Sequence, residues 1–174
     1  MESDALILVD ENDMETGTME KLLVHQLGLL HRAFSVFIFN SKGELLLQQR
    51  ADGKYHSAGL WTNTCCSHPR AGESIAQAIP RRLMEEMGIQ CTTHFAFSFV
   101  YKTSFANGLT EHEFDHVYIG NADLVPNPNL LEVQSWKYCS LENLEAAIDL
   151  HPKMYTEWMK ICLPHVKHHL KSNL

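Results

Sequence analysis

Apolar and polar positions fall into short alternating blocks separated by turn residues. Residues 5–10 predict a strand that ends at Glu11, Asn12 and Asp13. A polar stretch through Gly17, Glu20 and Lys21 leads into Leu22, Leu23, Val24 and His25. Residues 33–40 predict a further strand; Ser41, Lys42 and Gly43 a hairpin turn; and 44–50 the returning strand, with Arg50 at its end. Residues 51–60 form a loop carrying Lys54. Residues 74–87 have helical composition and stop at Gly88, a good C-cap. Pro80 sits inside that run and should kink the helix or delay its start. Residues 90–103 alternate as a strand with Tyr101 near the end, and Asn107 and Gly108 make a turn. Residues 111–119 return as a strand with Glu111 and Glu113 on one face. After a break at 126–129, residues 133–139 predict a last strand. Ser140 caps a helix through Ile148, and 152–170 predict a long terminal helix carrying Trp158. Strands and helices mixed in this way imply an α+β chain, a mixed sheet with helices packed on its faces.

Residues 61–69 do not fit the pattern. Two thiols, hydroxyls, an imidazole and Pro69 read as a rigid loop rather than a regular element. In extended chain, Cys66 and His68 point the same way. They read equally as a thiol beside a metal-bound imidazole, or as a small hydrophobe and a surface histidine. His25 and His31 are six apart, which helical phase sets well apart unless the chain bends near Gly28. Glu111 and Glu113 repel on one strand face; a bound cation relieves that, and so does a raised pKa.

At 174 residues, 45% apolar and 20% charged, the chain is expected to form one globular domain over 1–174. Nothing approaches the ~18 apolar residues of a membrane span, and the acidic start does not match a secretory signal, so no membrane partner is expected. Five cysteines, an odd number with two adjacent, point to a reducing, cytoplasmic setting. A net charge of −7 argues against nucleic acid. It permits a small anion where local basic groups or metal oppose the global field. Arg50 and Lys54, taken singly, read as ordinary solvated charges. His165, His168 and His169 read as solvated residues on the terminal basic helix.

Glu73, Arg81, Arg82, Leu83, Glu85, Glu86, Gly88 and Ile89 resemble the Nudix box, a helix whose carboxylates hold magnesium against a diphosphate. Ser67 replaces the box's opening glycine, and Arg82 replaces a metal-binding glutamate. An arginine grips phosphate oxygens instead, so the diphosphate looks held rather than cut. The stretch from Thr62 to Pro69 (TNTCCSHP), the segment from His31 to Ser35, and Glu111-His112-Glu113 resemble type I isopentenyl-diphosphate isomerases, over most of the chain.

That resemblance implies a Nudix fold, an α/β/α sandwich, with a core at about residues 30–162 between N- and C-terminal extensions. It implies that His25, His31, His68, Glu111 and Glu113 bind one manganese or zinc ion. Glu86, with the Cys66 carbonyl, would hold magnesium. Lys21, Arg50, Lys54 and Arg82 would grip the diphosphate, as a monomer or weak dimer. Cys66 and Glu113 would be the proton-transfer pair, and Tyr101 and Trp158 would complete the pocket. The order favoured has Glu113, with Tyr101, deliver the first proton and Cys66 help remove the second. The competing readings are a Nudix diphosphohydrolase, disfavoured by Arg82, and a non-catalytic metal-binding module, disfavoured by the acid–base pair.

Overall fold

The computed structural model describes residues 5–54 and 56–172; the acidic start Met1–Asp4 lies outside them. In chain order, β1 (Ala5–Val9), β2 (Glu15–Glu20), α1 (Lys21–Leu27), β3 (His31–Phe39) and β4 (Leu45–Arg50) come first. The short strands β5 (Trp61–Thr62) and β6 (Cys65–Ser67) follow, then α2 (Ile75–Met87). The long hairpin β7 (Thr93–Ser104) and β8 (Thr110–Asn121) precedes β9 (Val133–Cys139), α3 (Leu141–Leu150), a 3₁₀ turn (Pro152–Met154) and α4 (Glu157–Ser172).

Strand β3 is the axis. It runs parallel to β8 and antiparallel to β1, β4 and β6. Its side chains alternate between faces. Phe34, Val36 and Ile38 bury against Leu83 and Met87 of α2. Phe37 and Phe39 bury on the other side with Leu144 of α3 and Met159, Cys162 and Val166 of α4. The result is the mixed sheet flanked by helices that the pattern predicts.

Register positions the site. His31 lies opposite Glu113 across β3 and β8, Ser35 opposite Cys66 across β3 and β6, and Tyr101 opposite Glu113 across β7 and β8. All of these residues therefore face one side of the sheet.

Three expectations change. Residues 61–69 are not one irregular loop: Cys65–Ser67 pairs with β3, because buried backbone groups need hydrogen-bond partners and β3 offers them. Residues 15–20, read only as a polar lead-in, form β2 against β1. The terminal helix does not run on from Pro152. Thr156 N–H donates to Trp61 O at 3.0 Å, so Tyr155 and Thr156 are held beside β5 and α4 starts at Glu157.

Pro80 neither delays α2 nor interrupts it; the bond it removes is to Ala76, and both residues are exposed to water. Gly88 ends the helix at φ +62°, where a Cβ would stand 2.3 Å from the Asn127 carbonyl oxygen, so only glycine fits. Among the described residues no helix is long and apolar enough to cross a membrane.

Candidate active site

Gly28 caps α1 in the left-handed conformation and turns the chain into β3. That bend brings the His25 and His31 rings to 5.1 Å between centroids, which helical phase alone forbids. His25 Nδ1 donates to Lys21 O at 2.7 Å, and His31 Nδ1 to Leu29 O at 2.9 Å. Each ring so held presents Nε2 with its lone pair. His68 Nε2 lies 3.2 Å from His31 Nε2 and 2.9 Å from Glu113 Oε1. One ligand atom from each of His25, His31, His68 and Glu113 falls within 4.8 Å of all the others. Burial, then His31, lowers His25 to about 4, and burial lowers His68 to about 3, so both are neutral ligands near pH 7. Three imidazoles and one carboxylate fit a borderline divalent ion.

Glu111 is not one of those four. Its Oε1 lies 3.2 Å from His56 Nε2. Tyr101 bonds to both carboxyls, at 3.0 Å to Glu111 and 2.7 Å to Glu113. Burial and the Glu113 charge push Glu111 well up. Burial would raise Glu113 as well, but the imidazoles of His31 and His68 beside it outweigh that and hold the carboxyl well below the usual range.

Cys66 Sγ donates to Asn63 Oδ1 at 2.9 Å and lies 3.3 Å from Ser35 Oγ. Burial, then the Asp115 charge, raises the thiol well above its ordinary pKa, so it is protonated. Burial and Glu113 push Asp115 itself up to about 8.

One pocket, of about 70 Å³, is lined by Cys66, Glu113, Tyr101 and Trp158 and also by Lys21, Arg50, Lys54, Arg82 and Glu86. A second cavity of about 300 Å³ shares Lys21, Lys54, Ser67, His68 and Arg82 with it and adds Arg70 and Arg81. Burial, and then the charges of Arg82, Lys54 and Arg50, lower the Lys21 pKa. Such crowding of cations is relieved by a multivalent anion. Arg82 reaches Glu86 Oε1 at 2.6 Å, and Gln48 donates to Glu86 Oε2 at 2.8 Å. The Arg50 guanidinium lies 5.1 Å from the Trp158 ring centroid.

In the box helix, Glu73 is held by Arg81 through bonds of 2.6 and 2.7 Å, and Arg81 also reaches Glu85. These tie the loop before α2 to its middle. Of the terminal histidines, His165 and His168 are exposed, as expected, and His169 is half-buried; the rings of His165 and His169 lie near Phe97, at 6.1 and 5.7 Å.

Three residues of the site, His56, Glu132 and Asp115, escape a reading by motif, and a fourth, Ser35, ends a motif that gives it no role. His56 wedges between Phe105, stacked at 4.9 Å, and Trp158, edge-on at 5.8 Å. Glu132 bonds to Lys54 and to Arg82. Ser35 and Asp115 stand behind the thiol. Of the three outside the motifs, only Asp115 had a visible signal: it continues the period-two series Glu111, Glu113, Asp115 on β8.

The model of the NUDIX domain family matches residues 29–160. The fold agrees with solved structures. A crystal structure of a Deinococcus radiodurans protein superposes with a TM-score of 0.73 at 20% identity, covering 90% of this chain and 96% of that one. The MutT protein of Methanosarcina mazei gives 0.65 at 18% identity, over 83% and 95%. Within that fold, relatives in sequence are narrower in kind. Isopentenyl-diphosphate Delta-isomerase 2 of Aromatoleum aromaticum is 52% identical over 94% of this chain and 86% of its own length. Isopentenyl-diphosphate Delta-isomerase 2 of Photorhabdus laumondii is 51% identical over 90% and 89%. The chain belongs to the isopentenyl-diphosphate Delta-isomerase family, built on the NUDIX fold.

Proposed function

We propose that this protein isomerises isopentenyl diphosphate to dimethylallyl diphosphate. The activity named for its relatives supports this, and one observation carries it: a proton-transfer pair and a cluster of four cations line the same pocket. Lys21, Arg50, Lys54 and Arg82 bind the diphosphate, which lies towards the wider cavity. The five-carbon chain enters the narrow end, between Cys66 and Glu113.

The reaction adds a proton at C4, leaves a tertiary cation at C3 and removes a proton from C2. With Glu113 ionised and Cys66 protonated, we assign the first transfer to the thiol and the second to Glu113. This reverses the order favoured from sequence. Tyr101 donates its one hydrogen to Glu113 at 2.7 Å and orients that carboxyl. The thiolate left behind and the Trp158 ring both favour the cation. Burial of the pocket keeps away water that would trap it. When product leaves, the proton on Glu113 is lost and Cys66 regains one.

We assign the His25, His31, His68 and Glu113 cluster to manganese or zinc, with Glu111 beside it as a further carboxyl, and we assign magnesium to Glu86 and the Cys66 carbonyl. Bound there, the ions would supply positive charge that fixes Glu113 and neutralises diphosphate. Arg82, where the hydrolases carry a ligand glutamate, favours gripping the diphosphate over cutting it. The test is incubation with isopentenyl diphosphate, magnesium and manganese in D₂O, followed by proton NMR. Dimethylallyl diphosphate deuterated at its new methyl is expected. Intact substrate without deuterium, together with phosphate release, would put the hydrolase first.

A further inference from the structure

Asp115 is 1% exposed and has no part in binding metal or diphosphate. Its Oδ2 accepts from Ser35 Oγ at 2.7 Å, while Oδ1 has no hydrogen-bond partner among the described residues. A wholly buried carboxyl with one bond weakens a fold. Its neighbour in register on β3 is Ala33, so nothing in the sheet requires a carboxyl there.

The bonds have a direction. The Ser35 hydroxyl spends its hydrogen on Asp115, so its oxygen meets Cys66 Sγ, 3.3 Å away, with lone pairs. On the other flank, Asn63 Nδ2 donates to Val36 O at 3.0 Å and to Cys65 O at 3.1 Å. Those bonds turn Asn63 Oδ1 towards the thiol, 2.9 Å away. The thiol gives its one hydrogen to Asn63 Oδ1, and Ser35 Oγ stands in contact on the other flank, so on the sheet side the sulfur sits between two oxygens that are themselves fixed, and its remaining side lines the pocket.

We propose that Ser35 and Asp115 are positioning residues for Cys66, with Asp115 acting through Ser35 to hold the thiol at one rotamer facing the substrate. The proposal rests on the isomerase reading, and a readout that needs no substrate separates the two.

The test compares Ser35→Ala, Asp115→Asn, Asp115→Ala and the double Ser35→Ala/Asp115→Ala variant in metal-loaded protein. Ser35→Ala should lower kcat at least about tenfold, with KM for isopentenyl diphosphate within about twofold and metal content unchanged. Asp115→Asn keeps an oxygen for the Ser35 hydrogen and should stay within about threefold of the parent. Because Asp115 acts through Ser35, the double variant should be no slower than Ser35→Ala alone. Independently, the rate at which iodoacetamide labels Cys66 at fixed pH should change by at least about threefold in Ser35→Ala, with Cys65, Cys91, Cys139 and Cys162 as references within the same chain. Parental kcat in Ser35→Ala, multiplied losses in the double variant, or an unchanged labelling rate would each overturn the proposal. Should Asp115→Ala not fold, Ser35→Ala, Asp115→Asn and the labelling rate still decide it. A parent protein inactive on isopentenyl diphosphate whose Cys66 labelling still responds to Ser35→Ala would refute the function and leave the positioning intact.

Discussion

Glu111 and Glu113 lie two residues apart on the buried face of β8 and share one hydroxyl, yet their pKa values move in opposite directions. The cause is what faces each oxygen. Glu113 faces the imidazoles of His31 and His68, the second bonded to it at 2.9 Å, whereas Glu111 has desolvation and a charged neighbour against it. Both shifts favour a proton on Glu111 over one on Glu113.

Glu111→Gln copies the protonated form and should keep kcat within about tenfold. Glu113→Gln removes the proton acceptor and metal ligand that we propose, and should lose roughly 10²–10⁴-fold. Steady-state kinetics on both variants separates them. If Glu111→Gln is as inactive as Glu113→Gln, Glu111 works ionised, as the fifth ligand implied by family resemblance.

Stability of the metal-free protein should depend steeply on pH. His25 is lowered to about 4, and His56 and His68 to about 3, each chiefly by burial. Between those values and the ordinary ~6.5 of an unfolded histidine, the unfolded chain binds protons that the folded one refuses. The contribution is therefore fully present above about pH 6.5 and is lost as pH falls towards about 4. With three histidines the limiting slope approaches about 4 kcal/mol per pH unit, from ~1.4 kcal/mol per proton. Urea unfolding at pH 4.5, 5.5 and 6.5 measures it; a slope of one proton or less would mean that the cluster is charged or solvated when folded.

Gly88→Ala tests the junction that ends α2. The left-handed φ costs a non-glycine residue about 1–2 kcal/mol. The Asn127 carbonyl, 2.3 Å from the new Cβ, must also move. A total near 3 kcal/mol lowers Tm by roughly 6–12 °C in a domain of this size. Thermal unfolding unchanged within about 2 °C would show that the 121–132 segment yields at little cost.

The long elements were legible because period-two and helical patterns follow directly from burial: β3, β4, α2 and β8 fall where alternation predicts them. The short pairings were not. Cys65–Ser67 is a strand only because β3 lies beside it, and α4 begins at Glu157 only because Tyr155 and Thr156 are held by Trp61. At the site, motif residues such as Cys66, His68 and Glu113 could be named because their chemistry is unusual in such spacing. His56 and Glu132 could not, since a loop histidine and a surface glutamate gain meaning only from Trp158, Glu111, Lys54 and Arg82 brought beside them across the fold.

Arg82→Glu restores the residue that the hydrolases carry at this place in the box. It removes a cation and sets a third carboxylate beside Glu86 and Glu132, both now bonded to Arg82. Diphosphate binding should weaken strongly, with KM for isopentenyl diphosphate rising roughly 10–100-fold, the loss of about 1.4–2.8 kcal/mol of charge-assisted bonding. Unchanged KM with reduced kcat would place Arg82 nearer the reacting carbons than the phosphates. Phosphate release by the variant would show that this one position divides the two chemistries.

Trp158 separates stabilisation of a cation from plain packing. The ring is 4% exposed, lines the narrow pocket and carries the Arg50 guanidinium at 5.1 Å. An aromatic face supplies about 2 kcal/mol to a desolvated cation, equivalent to roughly thirtyfold in rate. Trp158→Phe keeps a weaker face and should lose part of that; Trp158→Leu should lose all of it. Because the positive charge at C3 exists only after protonation, the loss should fall on kcat rather than KM. An analogue with an ammonium group in place of C3 gives the control. Its affinity should drop in parallel with kcat across the two variants, while dimethylallyl diphosphate, neutral at the same carbon, should bind within about threefold of the parent. If Trp158→Leu weakens both ligands equally, the ring only fills the pocket, and the charges of Glu113 and the Cys66 thiolate carry the cation.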